Sequence, residues 1–127
     1  MSSNGGFTLI ELILVTVIIG ILSGMVTLTF AGRAEEARIK AAKGDIMSYN
    51  SAIELYALDH NGKYPKSLED LTNGDRKYVR DVKPDPWKNT YIYECPGSIH
   101  RDSYDVYSAG ADGIKGNADD VTELSDD

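Results

Sequence analysis

The stretch Gly6-Phe7-Thr8-Leu9-Ile10-Glu11, continued without a break to Phe30, decides how this chain must be read. Residues 7–30 run FTLIELILVTVIIGILSGMVTLTF; sixteen of the twenty-four are apolar and the only charge is Glu11. At about 1.5 Å per residue, a helix of this length reaches roughly 36 Å, enough to cross a hydrocarbon core of about 30 Å. Half of these residues are Val, Ile or Thr, which favour strands in water. In lipid, an isolated segment must satisfy its own backbone, and only a helix does so. A secretory signal peptide would have a basic n-region and a shorter apolar run closed by a small-residue cleavage site. Residues 1–6 hold no Lys or Arg, and no A-x-A pattern follows the run. The segment reads as a spanning helix.

Outward from that helix the charges sort by position. Residues 31–101 hold 12 basic and 11 acidic side chains, and residues 102–127 hold 8 acidic side chains against Lys115. The whole chain of 127 residues carries a net charge of −7. Length allows one small domain beside the helix. The acidic balance disfavours nucleic acid as a partner, because neutralising phosphates needs a basic face. A single cysteine, Cys95, excludes an internal disulfide framework and a multi-cysteine metal site. No nucleophile stands beside a base, no phosphate loop is present, and the two histidines are isolated, so the chain is not read as an enzyme.

Glu11 is the informative residue of the helix. A carboxylate inside an apolar span costs on the order of 2.5–3.5 kcal/mol and calls for a partner, yet residues 1–30 contain no Lys or Arg. Three partners fit: headgroups reached by snorkelling, an α-amine freed by a cut after Gly6 on the same helix, or that amine on a neighbouring copy. Gly20 and Gly24 add a small-xxx-small pair for close helix approach.

Beyond Gly32 the pattern becomes amphipathic. Ile39, Ala42, Ile46, Tyr49, Ile53 and Tyr56 recur at spacings of 3 and 4, which predicts a core-facing helix over 33–60 that continues the membrane helix. Asn61-Gly62 supplies the stop, with Gly62 as the left-handed cap, and His60 serves the terminal carbonyls rather than a metal. Ser67 and Asp70 cap a short helix over 67–72. A β-region over 85–108 opens with the turn Asp85-Pro86-Trp87-Lys88-Asn89. It continues as two alternating strands around residues 91–95 and 104–107, parted by Pro96-Gly97. Trp87 and the tyrosines fill the small core.

The stretch 108–121, SAGADGIKGNADDV, admits two readings. Clustered carboxylates usually make a solvated tail. Against that, Gly110, Gly113 and Gly116 permit turns sharp enough for Asp112, Asp119 and Asp120 to converge as hard oxygen ligands, which suit Ca²⁺. Zinc would want His or Cys, and the spacing is not that of an EF-hand.

These motifs carry a resemblance. The run from Gly6 to Glu11 resembles the leader junction and N-terminal helix of type IV pilins and type II secretion pseudopilins. The stretch from Ser108 to Val121 looks like the C-terminal calcium loop of the major pseudopilin of type II secretion. The resemblance implies a leader of residues 1–6 cut after Gly6 by a prepilin peptidase, N-methylation of Phe7, a transmembrane and assembly helix over 7–30, and a periplasmic domain over 31–127. It implies pairing of Glu11 with the Phe7 amine of an adjacent subunit. It also implies Ca²⁺ held by Asp112, Asp119 and Asp120 with backbone help from Ser108 and Val121, ahead of an acidic tail over 122–127. The implied fold is α+β: a long N-terminal helix packed on a small antiparallel β-sheet with a C-terminal calcium loop. The implied function is a homo-oligomeric pseudopilus that drives export from the bacterial inner membrane, with the inner-membrane secretion platform and minor pseudopilins as partners and membrane lipid around the helix before assembly. A type IV pilin forming surface pili is the alternative. The sequence departs from the family pattern in three places: a leader without Lys or Arg, Leu28 where a Pro is common, and Lys88 where Gly is usual.

Overall fold

The computed structural model describes residues 5–123; most of the implied leader (1–4) and the end of the acidic tail (124–127) lie outside the described residues. The chain divides into two units, Met1–Glu36 and Ala37–Asp127.

In the first unit, helix α1 (Leu9–Asp59) begins. It holds an 18-residue window of mean hydropathy 2.6, none of it buried, so this helix is long and apolar enough to cross a membrane. Its helical assignment runs through Leu28 without interruption, as expected where no proline removes a donor. The hydroxyls of Thr16 and Thr27 donate to Ile13 O and Ser23 O at 2.9 Å each, so neither brings an unsatisfied polar group to the surface.

The second unit is built on the remainder of α1. Ala42, Ile46, Tyr49, Ala52, Ile53 and Ala57 are its buried residues, which is the face the 3-and-4 spacing marks out. Opposite them sit Leu68, Leu71, Tyr91, Tyr104, Val106 and Val121. Full burial of Ile46 and Ile53 is worth about 1.5–3 kcal/mol each. A 3₁₀ turn, Leu68–Leu71, replaces the longer helix expected over 67–72; Asp70 Oδ2 accepts from the amides of Lys66 (2.9 Å) and Ser67 (3.2 Å) and anchors its start.

Strands β1 (Ile92–Glu94) and β2 (Asp105–Tyr107) pair antiparallel, with Tyr93 opposite Val106. Past β2 an isolated bridge joins Ser108 to Val121. The strands are shorter than their alternating sequence suggests because the loop between them turns inward on Asp105. Ile99 N and His100 N donate to its carboxylate at 2.6 and 3.2 Å, and an added Cβ on Gly97 would stand 2.7 Å from Asp105 Cγ.

Two backbone details refine the sequence reading. Asn61, at φ 57°, takes the left-handed position after α1, and Gly62 N donates to Ala57 O at 2.8 Å. The cap is therefore a Schellman turn with Asn at C′ and Gly one place later. His60 Nδ1 lies 2.8 Å from Tyr56 O, the terminal-carbonyl contact expected of it. Lys88, where the resemblance expects Gly, sits at φ 68°, a conformation costing a side-chain-bearing residue about 1–2 kcal/mol. Lys88→Gly is expected to stabilise the fold by about 0.5–1 kcal/mol and raise the melting temperature by a few degrees. A lower melting temperature in a thermal scan would contradict this.

Candidate functional site

Two places carry the chemistry: the start of α1 and the loop closed by the Ser108–Val121 bridge. At the first, Glu11 N donates to Thr8 Oγ1 at 3.3 Å and Leu12 N to Thr8 O at 3.3 Å. Thr8 is thus the N-cap. The pattern Thr8-x-x-Glu11 is a capping-box signature that the sequence reading passed over. Among the described residues the Glu11 carboxylate accepts no hydrogen bond and pairs with no cation, so the reciprocal half of the box is missing. A carboxylate in the first turn also benefits from the helix dipole. Phe7 is 87% exposed, beside this acid. Gly6, Phe7 and Glu11 are therefore gathered at one helix end and stay open to an outside partner.

At the second place the chain folds around glycines. Gly110, Gly113 and Gly116 have φ of 68°, 70° and 90°, values that Gly adopts without penalty. The Asp119 backbone passes so close to Gly110 that an added Cβ would overlap its carbonyl oxygen. Asp119 Oδ2 accepts from Asp112 N at 3.2 Å, and Asp120 Oδ2 accepts from Gly116 N at 2.7 Å. Asp112 accepts from Ile114 N at 2.8 Å and from Asn117 Nδ2 at 2.6 Å. Ser108 and Val121 exchange both amide bonds at 2.9 Å, closing the loop at its base.

The donor set of this loop is all oxygen: three carboxylates, the Asn117 amide and nearby carbonyls. By hardness and charge it fits Ca²⁺. Asp112, Asp119 and Asp120 lie on one loop, but among the described residues no three acidic, His or Cys side chains gather closely enough to hold a metal. Their oxygens are turned onto loop amides instead. The carbonyls of Ser108 and Val121 serve the bridge, and each keeps a second lone pair.

Two buried acids brace the domain; from the sequence Asp85 is only the start of a turn and Asp105 has no assigned role. Asp85 accepts from Trp87 N (3.1 Å), Asn89 N (2.7 Å) and Ser108 Oγ (2.6 Å), and Asn89 Nδ2 donates to Gly110 O at 3.4 Å. The Asp85-Pro86-Trp87 turn is therefore a buttress that fixes Ser108 and Gly110. Asp105 is 6% exposed. Burial raises its pKa, but the Ile99 amide and the His100 imidazole and amide outweigh this and hold the carboxyl below its usual range. His100 Nδ1 lies 2.6 Å from Asp105 Oδ1. For Asp85 the hint in the sequence was a short polar residue between two prolines; Asp105, between Tyr104 and Val106, carried no such signal.

The tyrosines do more than fill space. Tyr91 OH donates to Asp45 Oδ2 (2.6 Å), Tyr93 OH to Pro65 O (2.7 Å), and Tyr104 OH to Glu54 Oε1 (3.1 Å). Burial, reinforced by the Glu94 carboxylate, pushes the Tyr107 phenol up to about 12. These phenols remain neutral donors: Tyr91 and Tyr104 tie the β-region to α1, Tyr93 ties β1 to the Pro65 carbonyl, and Tyr107 donates to Glu94 of the paired strand.

An apolar helix with an open acid at its start, carrying a small α+β domain braced around a glycine-rich loop, defines a pilin-like protein. The comparisons narrow the class. The family described as type II secretion system (T2SS), protein G matches residues 29–126, and the prokaryotic N-terminal methylation motif matches residues 1–27. The type II secretion system core protein G of Pseudomonas aeruginosa is 35% identical, the alignment covering 95% of this chain and 93% of that protein. The core protein G of Vibrio cholerae is 36% identical, with 91% and 86% covered. Among solved structures, the major pseudopilin from the type 2 secretion system of enterohaemorrhagic Escherichia coli matches with a TM-score of 0.61 at 27% identity, covering 72% of this chain and 90% of that one. The chain belongs to the type II secretion system protein G family. This is a family of structural pseudopilin subunits, not enzymes, and the surface-pilin alternative has less support.

Proposed function

We propose that this chain is a structural subunit of a periplasmic pseudopilus, held in the inner membrane by its apolar helix until it polymerises. The observation that carries the reading is the Gly6-Phe7…Glu11 spacing ahead of an uninterrupted α1, within a chain of the protein G family. A prepilin peptidase cuts after Gly6 and leaves Phe7 as the new, methylated N-terminus. In the filament, the Glu11 carboxylate of one copy pairs with the Phe7 amine of the next, which offsets the cost of an acid in an apolar bundle. The domain stands on the periplasmic side, where the secretion platform and minor pseudopilins meet it. Intact-mass analysis of protein purified from membranes of a secreting cell is expected to give a chain starting at methylated Phe7. An intact leader in those cells would leave only an ordinary anchor.

Calcium enters the proposal through the loop. Asp112, Asp119 and Asp120 would hold it, with carbonyls near Ser108 and Val121 completing the shell. The all-oxygen donors and the glycine turns support this assignment. A bound Ca²⁺ would offset two of the three carboxylate charges and fix the loop against Asp85 and Asn89. Because it binds only the folded form, calcium at about 100 times its Kd adds about 2.7 kcal/mol of stability. The melting temperature of the detergent-solubilised chain is expected to fall by roughly 10 °C when a chelator replaces calcium. An unchanged melting temperature would remove calcium from the account.

A further inference from the structure

We propose that an exposed basic edge on the domain, formed by Lys77, Arg80 and Lys83, receives the acidic C-terminal segment of a second copy of this chain. The proposal rests on the filament reading above, which places copies side by side.

Residues 76–88 contain five Lys or Arg against Asp81 and Asp85. Two of these charges are already used within the domain. Arg76 bonds Asp59 at 2.8 Å, and Asp85 is buried with Ser108 and the turn amides. Lys77, Arg80, Lys83 and Lys88 are all exposed, and among the described residues they form no ion pair. Lys77, Arg80 and Lys83 line an open cavity of about 520 Å³ with Thr90. Glu69 and Asp81 share its rim and leave cations in excess. In a chain of net charge −7, such an edge stands out as a place for an anionic partner.

Charge and position select the partner. Lys83 N donates to Tyr49 OH at 3.0 Å, and Tyr49 lies twelve residues, about 18 Å, along α1 from Ala37 at the start of this unit. That places Lys83 well inside the second unit rather than at the start of it. Beyond the proposed calcium loop the chain carries its own anionic segment: Glu123, Asp126 and Asp127, with no cation among residues 122–127. Asn50 Nδ2 donates to Glu123 Oε2 at 2.6 Å, which ties the start of this segment to α1 of its own domain. The four residues beyond Glu123 span at most about 14 Å when fully extended, which limits how far they reach from Asn50. A neighbouring copy meets no such limit.

Co-assembled full-length chains test this. One population carries Cys95→Ser with Arg80→Cys, the other Cys95→Ser with Asp126→Cys, and assembled material is treated with a short bismaleimide. A covalent heterodimer between the populations is expected. Separately, the triple reversal Lys77→Glu, Arg80→Glu and Lys83→Glu is expected to lower filament yield about tenfold, as losing several exposed pairs would. Adding Glu123→Lys, Asp126→Lys and Asp127→Lys to that chain is expected to restore the yield. Filaments seen by electron microscopy without heterodimer, or with a reversal that changes nothing, would overturn this docking alone. So would ring closure within a single chain bearing both cysteines. Failure of the unsubstituted chain to assemble would overturn the filament reading as well.

Discussion

Glu11→Ala is expected to insert, to be cut after Gly6, and then to fail to assemble. Insertion improves, because removing the carboxylate relieves about 2.5–3.5 kcal/mol of transfer cost. Assembly suffers in the opposite sense. Losing one partner of a desolvated ion pair costs about 3–5 kcal/mol, so each subunit addition weakens by at least a hundredfold. Glu11 also stands at the third position of a helix capped by Thr8, and a purely structural role there must be separated from pairing. Glu11→Gln does this. Glutamine serves a capping box as glutamate does and keeps nearly the same shape, but has no charge to offer an amine. Both variants are expected to show normal helix content by circular dichroism and little or no filament by electron microscopy. Normal filament yield from Glu11→Gln would reduce this residue to a cap.

Gly110→Ala is the largest expected effect on the fold. Gly110 combines a φ of 68° with a Cβ position that would overlap the Asp119 carbonyl oxygen and stand 2.8 Å from its Oδ2. Strain at positive φ accounts for about 1–2 kcal/mol, and backbone displacement of the loop adds to it. We expect at least about 3 kcal/mol in all, a large share of the roughly 5–15 kcal/mol that holds a domain of this size. Gly116 supplies the control. Its φ is 90°, yet nothing lies within 4 Å of an added Cβ, so Gly116→Ala carries the strain alone. Thermal melts followed through Trp87 and the tyrosines are expected to fall by more than about 10 °C for Gly110→Ala and by less than half of that for Gly116→Ala. Equal shifts would mean that the close passage of Asp119 does not hold the loop together.

What could be read from the sequence follows from the range of the interactions involved. The membrane-length segment, the stripe from Ile39 to Tyr56 and the two tyrosine-rich strands depend on spacing within a few residues, and each appears as an element of the kind expected. The glycines of the C-terminal stretch likewise announced their turns, since φ is a local property. Asp85 and Asp105 were illegible because an aspartate in a turn or strand becomes a buried hub only when distant amides are brought to it. Ser108 reaches Asp85 across 23 residues. The phenol of Tyr91 meets Asp45 across 46, a pairing no periodicity encodes. Asn61 shows a subtler limit, because either residue of an Asn-Gly pair tolerates positive φ, and only the hydrogen bond from Gly62 to Ala57 settles which leads.

The central claim is that the acid near the start of α1 is completed by another molecule. A side-chain-resolution map of assembled filaments tests it most directly. The account predicts the Glu11 carboxylate within about 4 Å, salt-bridge distance, of the N-terminal nitrogen of Phe7 on a different copy. A carboxylate facing lipid, solvent or only its own chain's terminus in an intact filament would contradict it.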